Sequence, residues 1–239
     1  MNIIFFKSIY KIKFIWKSIM HVTIKNLLKI KENINTNLQN VKKTIVAPKI
    51  IAVSKTFKID HIMPLIDHGH LDYGENKVQE AVEKWTNIKN KNNNIKLHLI
   101  GGLQTNKVKF AVRIFDYIHS LDSKKLADKI SYQLKEQNME TKIFIQVNLG
   151  KEKQKSGILE EELFDFYKYC KELNLNIIGL MCIPPFNQDS TKYFLRLQEL
   201  NKKIGLKELS MGMSADYISA IKYDSTFVRI GSEIFGQRY

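Results

Sequence analysis

Short apolar runs alternate with longer stretches of helical periodicity from residue 49 to the end of the chain. Apolar runs of this length, bounded by turn residues, are typical of buried strands. The candidate strands are residues 50–54, 71–73, 97–100, 117–120, 143–148, 177–181, 208–210 and 227–230. The candidate helices between them are residues 61–68, 77–85, 107–114, 123–137, 160–173, 191–204 and 216–222.

Alternation of strands and helices implies parallel strands that are joined by right-handed crossovers. Eight such units in about 190 residues predict an α/β fold, a single (β/α)8 barrel of the TIM type. A doubly wound open sheet is the alternative, and the lack of a GxGxxG motif after the first candidate strand makes it the weaker one. No linker, repeat or second domain is visible, so residues 21–239 are predicted to form one domain.

The predicted barrel lacks one helix after its last strand, and the N-terminal region offers a replacement. Apolar residues recur there with helical spacing, at Ile24, Leu27, Leu28, Ile34 and Leu38. This pattern predicts an amphipathic helix that packs beside the last strand and closes the ring.

A basic, apolar extension of residues 1–20 precedes this helix, and four lysines interrupt its apolar residues 3–20. These charges argue against a membrane span, and neither a signal peptide nor a transit peptide fits the pattern. Two alternatives stay open. Either translation starts at Met20 and the extension is absent from the mature chain, or the extension is a weak interfacial anchor. No firm membrane association is expected.

The composition narrows the possible classes of protein. The chain has 239 residues, 44% of them hydrophobic, which excludes a disordered protein. Its two cysteines, Cys170 and Cys182, form no CxxC motif. This fits a reducing compartment, and thus a cytoplasmic location, and it argues against a disulfide framework or a cysteine-rich zinc site.

The formal net charge of +14 raises the question of nucleic-acid binding. However, 34 of the 38 basic residues are lysines, whereas arginine is the usual reader of phosphates and guanine edges. Half of the excess charge also lies before Glu32. We therefore interpret the charge as lysine-rich composition and expect no nucleic-acid partner.

In a barrel of this type, chemistry is found where the strands end. Lys55 follows the first apolar run, and a lysine at the mouth of a barrel strand lies against walls of low dielectric constant. Such walls favour the neutral amine, which is the form that attacks a carbonyl group to make a Schiff base. The alternative is a solvated surface lysine, of which this chain has many.

Other candidates follow the second, third and fifth strands. Asn76 either caps the next helix or contacts a ligand. His98 lies within the third candidate strand, where a lone histidine is more often structural. Asn148 ends the fifth candidate strand.

The last two strand ends predict a phosphate site. Ser214 stands where a helix N-cap belongs, and the free N–H groups of a helix N-terminus attract anions. Gly231 lets the backbone approach a ligand, and the Ser232 hydroxyl can donate to it. Barrels frequently bind phosphate with these two loops. Arg229, within an apolar strand, needs an acceptor once buried.

Eight motifs together resemble the YggS/PROSC family of pyridoxal phosphate homeostasis proteins, over residues 21–239. They are AVSKT at 52–56, GENKVQE at 74–80, HLIG at 98–101, LQTNK at 103–107, KSG at 155–157, GLM at 179–181, LSMGMS at 209–214 and VRIGS at 228–232. The resemblance implies a single barrel similar to the N-terminal domain of alanine racemase.

The resemblance also implies roles for individual residues. Lys55 is the lysine that would hold pyridoxal 5'-phosphate (PLP) as a Schiff base, and Arg229 would face the pyridine nitrogen. The other implied residues are Ser214, Gly231 and Ser232 at the phosphate, Asn76 and Met211 in the pocket, and His98 and Asn148 in the same wall. Two positions depart from the family pattern, since Ser232 replaces a usual Thr and Gly102 replaces a larger residue.

These roles imply a protein that buffers PLP (vitamin B6) inside the cell, and indirectly influences amino acids, rather than an enzyme. A fixed cation beside the pyridine nitrogen disfavours its protonation, and an unprotonated ring is a poorer electron sink. No opposing catalytic tyrosine or second domain is seen, and no metal is expected. PLP-dependent apoenzymes are the expected recipients, and a monomer is the expected state. A PLP-dependent amino-acid racemase of low activity is the alternative.

Overall fold

The computed structural model of the protein describes residues 20–40 and 46–237, which contain a closed barrel of eight parallel strands in chain order. The strands are β1 (Lys49–Val53), β2 (Asp72–Glu75), β3 (Lys96–Leu99), β4 (Tyr117–Leu121), β5 (Lys142–Gln146), β6 (Ile177–Met181), β7 (Glu208–Met213) and β8 (Phe227–Ile230). Strand β1 pairs with β2 on one side and with β8 on the other, which closes the barrel. The prediction of a TIM-type barrel is confirmed.

Helices follow the strands and cover the outside of the barrel. They are α1 (Val22–Asn40), α2 (Ile59–Asp67), α3 (Val78–Lys91), α4 (Val108–Ile114), α5 (Lys124–Gln137), α6 (Leu163–Glu172), α7 (Thr191–Ile204), α8 (Tyr217–Ile221) and α9 (Ser232–Phe235). Single 3-10 turns at Thr105–Lys107 and Glu160–Glu162 lead into α4 and α6. None of the helices in the described ranges is long and apolar enough to cross a membrane.

Side chains of the strands divide between two cores, because successive residues of a strand point to opposite faces. A large core lies between the strands and the helices. A smaller cluster fills the inside of the barrel and consists of Ile51, Tyr117, Phe144, Met181 and Phe227. Both faces are therefore buried, which explains why the strands appear in the sequence as continuous apolar runs.

Helix α1 lies where a helix after β8 would complete the outer ring. Its residues Leu27, Ile30 and Ile34 are buried in the large core. Asn26 Nδ2 donates to the carbonyl oxygen of Ile234 in α9 at 3.0 Å, and Asn33 Nδ2 lies 3.4 Å from the hydroxyl of Tyr217 in α8. The expected N-terminal helix is thus present and packs against the last two helices. The extension before Met20 lies outside the described residues.

Candidate functional site

A cavity of about 620 Å³ opens at the carboxyl ends of the strands, which is a typical size for a small-molecule site. Six of the nine residues singled out from the sequence line it: Lys55, Asn76, Ser214, Arg229, Gly231 and Ser232. The remaining lining residues are Val53, Ile100, Ile183, Met213, Ala215, Gly236 and Gln237. The cavity therefore gathers the ends of β1, β2, β7 and β8 around one space.

Lys55 occupies a turn directly after β1, and its two neighbours in the chain are both tied to helix α3 or strand β2. Ser54 Oγ donates to Glu75 Oε1 at 2.8 Å, and Thr56 N donates to Glu80 Oε1 at 2.6 Å. Thr56 has a φ of 69°, which a β-branched residue rarely adopts. The carboxylate of Glu80 therefore stabilises an unusual backbone conformation beside the lysine.

The ammonium group of Lys84 joins these contacts into one cluster behind the cavity. Lys84 Nζ lies 3.0 Å from Ser54 O, 3.0 Å from Glu75 Oε1 and 2.9 Å from Glu80 Oε1. Although partial burial acts in the opposite direction, the hydrogen bonds from Lys84 and Thr56 N–H lower the pKa of Glu80 below its usual value. The turn that carries Lys55 is thus held by charge-assisted hydrogen bonds, which are stronger than neutral ones.

Asn76 follows β2 and lies against the backbone of Gly101. A Cβ atom at position 101 would come within 2.5 Å of Asn76 O, so only glycine permits this close approach. Helix α3 begins at Val78 with Lys77 at its N-cap position and no side-chain cap. Of the two alternatives for Asn76, the structure therefore excludes the helix cap, and Asn76 is among the residues that line the cavity.

Arg229 presents a fixed cation at the cavity, and only 4% of its surface is exposed. Nη1 donates to Ser210 Oγ at 2.7 Å, and Nη2 donates to the carbonyl oxygen of Cys182 at 2.9 Å. Burial lowers the pKa of Arg229 from its usual value, yet a guanidinium remains protonated in proteins. Two acceptors, one within β7 and one directly after β6, fix the plane of the group.

The loops after β7 and β8 build the adjoining part of the cavity wall. Gly212, at a φ of 92°, lies so close to α8 that a Cβ atom would be 2.7 Å from Ala220 Cβ, and this sharp turn leads the chain to Ser214. Helix α8 begins at Tyr217, so Asp216 and not Ser214 occupies its N-cap position. The prediction that Ser214 caps this helix was wrong, because the chain makes a turn first. Gly231 is the N-cap residue of α9, and Ser232 begins that helix.

Three residues that the sequence placed in the pocket wall do not line the cavity. His98 is fully buried inside the barrel, where its Nε2 lies 3.0 Å from Asp72 Oδ1. The side chain of Met211 belongs to the core between strands and helices. Asn148 Nδ2 donates to Glu152 O at 2.9 Å and stabilises its own loop. The placement of these side chains gives no support to their predicted ligand role.

The residues that position Lys55 and Arg229 were not among those predicted from the sequence. Ser210 binds Arg229, and the cluster of Glu75, Glu80 and Lys84 holds the turn of Lys55. A usable signal was present, because Lys84 follows Glu80 at the i,i+4 spacing of a helical ion pair. Ser210 gave no such signal, since its partner lies on another strand.

The donor groups around the cavity fit a ligand that carries an aldehyde, an aromatic nitrogen and a phosphate. An amine at Lys55 can react with the aldehyde, and the cation of Arg229 disfavours protonation of a ring nitrogen beside it. The hydroxyls of Ser214 and Ser232 and the backbone at Gly231 supply the donors that a phosphate requires. Among the described residues, no cluster of His, Cys, Asp and Glu is placed to hold a metal ion.

This combination of a (β/α)8 barrel and a rim cavity with a lysine after β1 defines a class of protein. A family model described as the N-terminal domain of alanine racemase matches residues 30–239. The class is therefore a barrel of the alanine racemase N-terminal-domain type.

Individual relatives narrow the class. The pyridoxal phosphate homeostasis protein of Pasteurella multocida is 38% identical over 89% of this chain and 96% of its own. The protein of the same name from Aquifex aeolicus is 40% identical over 80% of this chain and 87% of its own. PipY of Synechococcus elongatus, solved with PLP bound, has a TM-score of 0.75 and 30% identity, and covers 85% of this chain and 100% of its own. The chain belongs to the pyridoxal phosphate homeostasis protein family.

Proposed function

We propose that this protein binds PLP in the rim cavity and holds it through a Schiff base on Lys55, as a carrier that buffers the reactive aldehyde. The observation that carries the proposal is the gathering of Lys55, Arg229, Ser214 and Gly231 around one cavity of suitable volume. The bound group would supply an electrophilic aldehyde, and the chain would supply the amine that captures it.

The remaining groups would orient the cofactor. Ser214, Gly231 and Ser232 would hold the phosphate by hydroxyl and backbone donors, as the loops after the last two barrel strands often do. Asn76 would contact the ring from the β2 side. Arg229 would meet the ring nitrogen with a cation whose plane is already fixed by Ser210 and Cys182.

Two features support a carrier over an enzyme. A permanent cation at the ring nitrogen keeps the ring unprotonated and weakens its ability to stabilise a carbanion. Among the described residues that line the cavity, only Lys55 and Arg229 have ionisable side chains, and a guanidinium does not give up its proton. Proton abstraction and return on opposite faces of a substrate would need a second such group.

The relatives of this chain carry a name that refers to homeostasis of PLP, and PipY has been solved with PLP. We extend the proposal accordingly. The protein would act in the cytoplasm as a monomer, take up and release PLP, hand it to PLP-dependent apoenzymes, and so influence amino-acid metabolism indirectly.

The test uses the full chain and two measurements. Apoprotein titrated with PLP is expected to develop the visible absorbance of a Schiff base, and Lys55→Ala is expected to lose it. The loaded protein is expected to restore activity to a PLP-dependent apoenzyme, with Lys77→Ala as a control at an exposed lysine in the GENKVQE motif. Absence of the absorbance in the unaltered protein would overturn the proposal.

A PLP-dependent amino-acid racemase of low activity is the second candidate, and the match to the alanine racemase domain favours testing it. The loaded protein would be incubated with single L-amino acids, and the D-enantiomer measured by chiral chromatography. Turnover at enzyme-like rates that disappears in Lys55→Ala would replace the carrier by the racemase. The carrier predicts no such turnover.

A further inference from the structure

Four consecutive hydrogen bonds run through the inside of the barrel and end on Arg229. Arg229 Nη1 lies 2.7 Å from Ser210 Oγ, and this oxygen lies 2.8 Å from His119 Nδ1. His119 Nε2 lies 3.0 Å from His98 Nδ1, and His98 Nε2 lies 3.0 Å from Asp72 Oδ1. We call these five residues the barrel relay. It links the cavity to Asp72, at the opposite end of the strands.

Chemistry allows only one direction for the donors in the barrel relay when both imidazoles are neutral. An ionised carboxylate only accepts, so His98 donates from Nε2 and must accept at Nδ1. His119 therefore donates from Nε2 and accepts at Nδ1, and the Ser210 hydroxyl donates to it. The lone pairs of Ser210 Oγ are then left for the guanidinium of Arg229, which can only donate.

The surroundings keep both imidazoles neutral and in place. Both rings are fully buried, and this desolvation lowers the pKa of His98 and, further, that of His119. His98 stacks on Tyr117 with ring centroids 4.3 Å apart, and His119 stacks on Phe144 at the same distance. This stacking fixes the planes of both rings, so each ring nitrogen keeps its hydrogen-bond partner.

The charges at the two ends of the barrel relay explain why the direction of its hydrogen bonds matters for Arg229. In the described residues, Arg229 bonds only to the neutral oxygens of Ser210 and Cys182, and no carboxylate lies within ion-pair distance. The carboxylate that ends the barrel relay is Asp72, whose side chain is 19% exposed. Although the more distant carboxylate of Asp216 also acts on Arg229, a buried cation without a directly bonded anion depends on oriented dipoles as well.

We propose that Asp72, His98 and His119 are positioning residues, which fix the tautomers along the barrel relay so that the Ser210 proton points at His119 and away from Arg229, and Ser210 holds Arg229 in the plane that meets the cofactor. The role of Arg229 in this inference rests on the proposed function, whereas the tautomers of His98 and His119 do not depend on it. The carboxylate of Asp72, at the far end of the barrel, would then influence the affinity for PLP.

The first test measures the tautomers in the apoprotein, without any cofactor. Nitrogen-15 NMR of histidine-labelled protein at neutral pH is expected to show His98 and His119 protonated at Nε2 and unprotonated at Nδ1. A proton on Nδ1 of either ring would overturn the inference. This result does not depend on whether PLP binds, so the inference and the proposed function can fail separately.

The second test measures the consequence for the cofactor. Asp72→Asn can still accept from His98 but offers no charge, so tautomer mixing and at least fivefold weaker PLP binding are expected, with capture still on Lys55. His70→Gln is the matched control, because His70 Nε2 bonds to the backbone oxygen of Asp72, at 3.0 Å, rather than to its carboxylate. Unchanged affinity in Asp72→Asn, or an equal loss in His70→Gln, would overturn the positioning role.

Discussion

Lys55 lies in a turn whose neighbouring residues are both held by the carboxylates of Glu75 and Glu80. An amine that must form one bond in one direction benefits from a rigid backbone, because less conformational freedom is lost on binding. The unusual φ of Thr56 shows that the surrounding contacts, and not local preference, determine this turn.

The close contact between Gly101 and Asn76 leads to a prediction for Gly101→Ala, and the adjacent Gly102→Ala serves as its control. Gly101→Ala would place a Cβ atom 2.5 Å from Asn76 O, whereas a Cβ atom at the adjacent Gly102 would meet nothing within 4 Å. We expect Gly101→Ala to lower the free energy of unfolding by about 1–3 kcal/mol and to weaken PLP binding, because Asn76 must move.

Gly102→Ala is expected to change the free energy of unfolding by less than about 0.5 kcal/mol and to leave PLP binding intact. Urea unfolding and PLP titration of both variants check the pair. Equal behaviour of the two variants would contradict the account of Asn76.

Single residues also show where sequence reasoning succeeds and where it stops. Lys55, Asn76 and Arg229 became candidates because barrel strands bring their carboxyl ends together, and the resemblance to a known family then implied their roles. The direction of a side chain is not visible, since both faces of these strands are apolar. The resemblance also implied that His98 and Met211 line the pocket, although His98 points into the barrel interior and Met211 into the outer core.

Helix α1 belongs to the barrel although it comes before the first strand. Leu27 is fully buried in it, whereas the adjacent Leu28 is 39% exposed. Leu27→Ala is expected to lower the free energy of unfolding by about 2–5 kcal/mol through the cavity it leaves. Leu28→Ala is expected to cost less than about 1 kcal/mol.

Chemical denaturation of the two leucine variants measures this difference. Because Asn26 of α1 also bonds to Ile234 in α9, Leu27→Ala is expected to weaken PLP binding at Ser232 as well. If both leucine variants were equally stable, α1 would not be part of the folded barrel.

Element boundaries were less predictable than the elements themselves. Strand β7 continues to Met213 rather than ending at residue 210, and α8 begins only at Tyr217. The Asp216 carboxylate accepts the backbone N–H of Met213 at 2.7 Å and holds the intervening turn. This contact depends on the bend at Gly212, so local patterns alone could not give it.

At the scale of the whole molecule, buried histidines link stability to pH. Burial lowers the pKa of His70 to about 4, and it also lowers the pKa values of His98 and His119. The unfolded chain, with ordinary histidine pKa values near 6.5, then binds more protons than the folded protein below that pH. Stability is therefore retained above about pH 6.5 and lost as the pH falls below it.

Each of these histidines contributes a slope of at most about 1.4 kcal/mol per pH unit. Unfolding free energies measured by urea titration between pH 7 and pH 5 are expected to fall accordingly. His70→Gln is expected to reduce the slope, because one of the three groups is removed. The carboxylates Asp72 and Glu80, whose pKa values are lowered, contribute only at more acidic pH. A stability that rose on acidification would contradict the burial of these rings.

The overall architecture was the most predictable feature, because eight alternating units leave few alternatives for a parallel sheet. The barrel relay could not be predicted, since it joins residues of β2, β3, β4, β7 and β8 that are far apart in the sequence. Such contacts exist only once the barrel has closed, and they connect its two ends.

The central claim is that Lys55, among 34 lysines, captures PLP. Reduction of the PLP-loaded protein with borohydride would convert the Schiff base into a stable amine, and peptide mass mapping would locate it. We expect one phosphopyridoxyl group per chain, on Lys55. A label on any other lysine, or one spread over many, would contradict it.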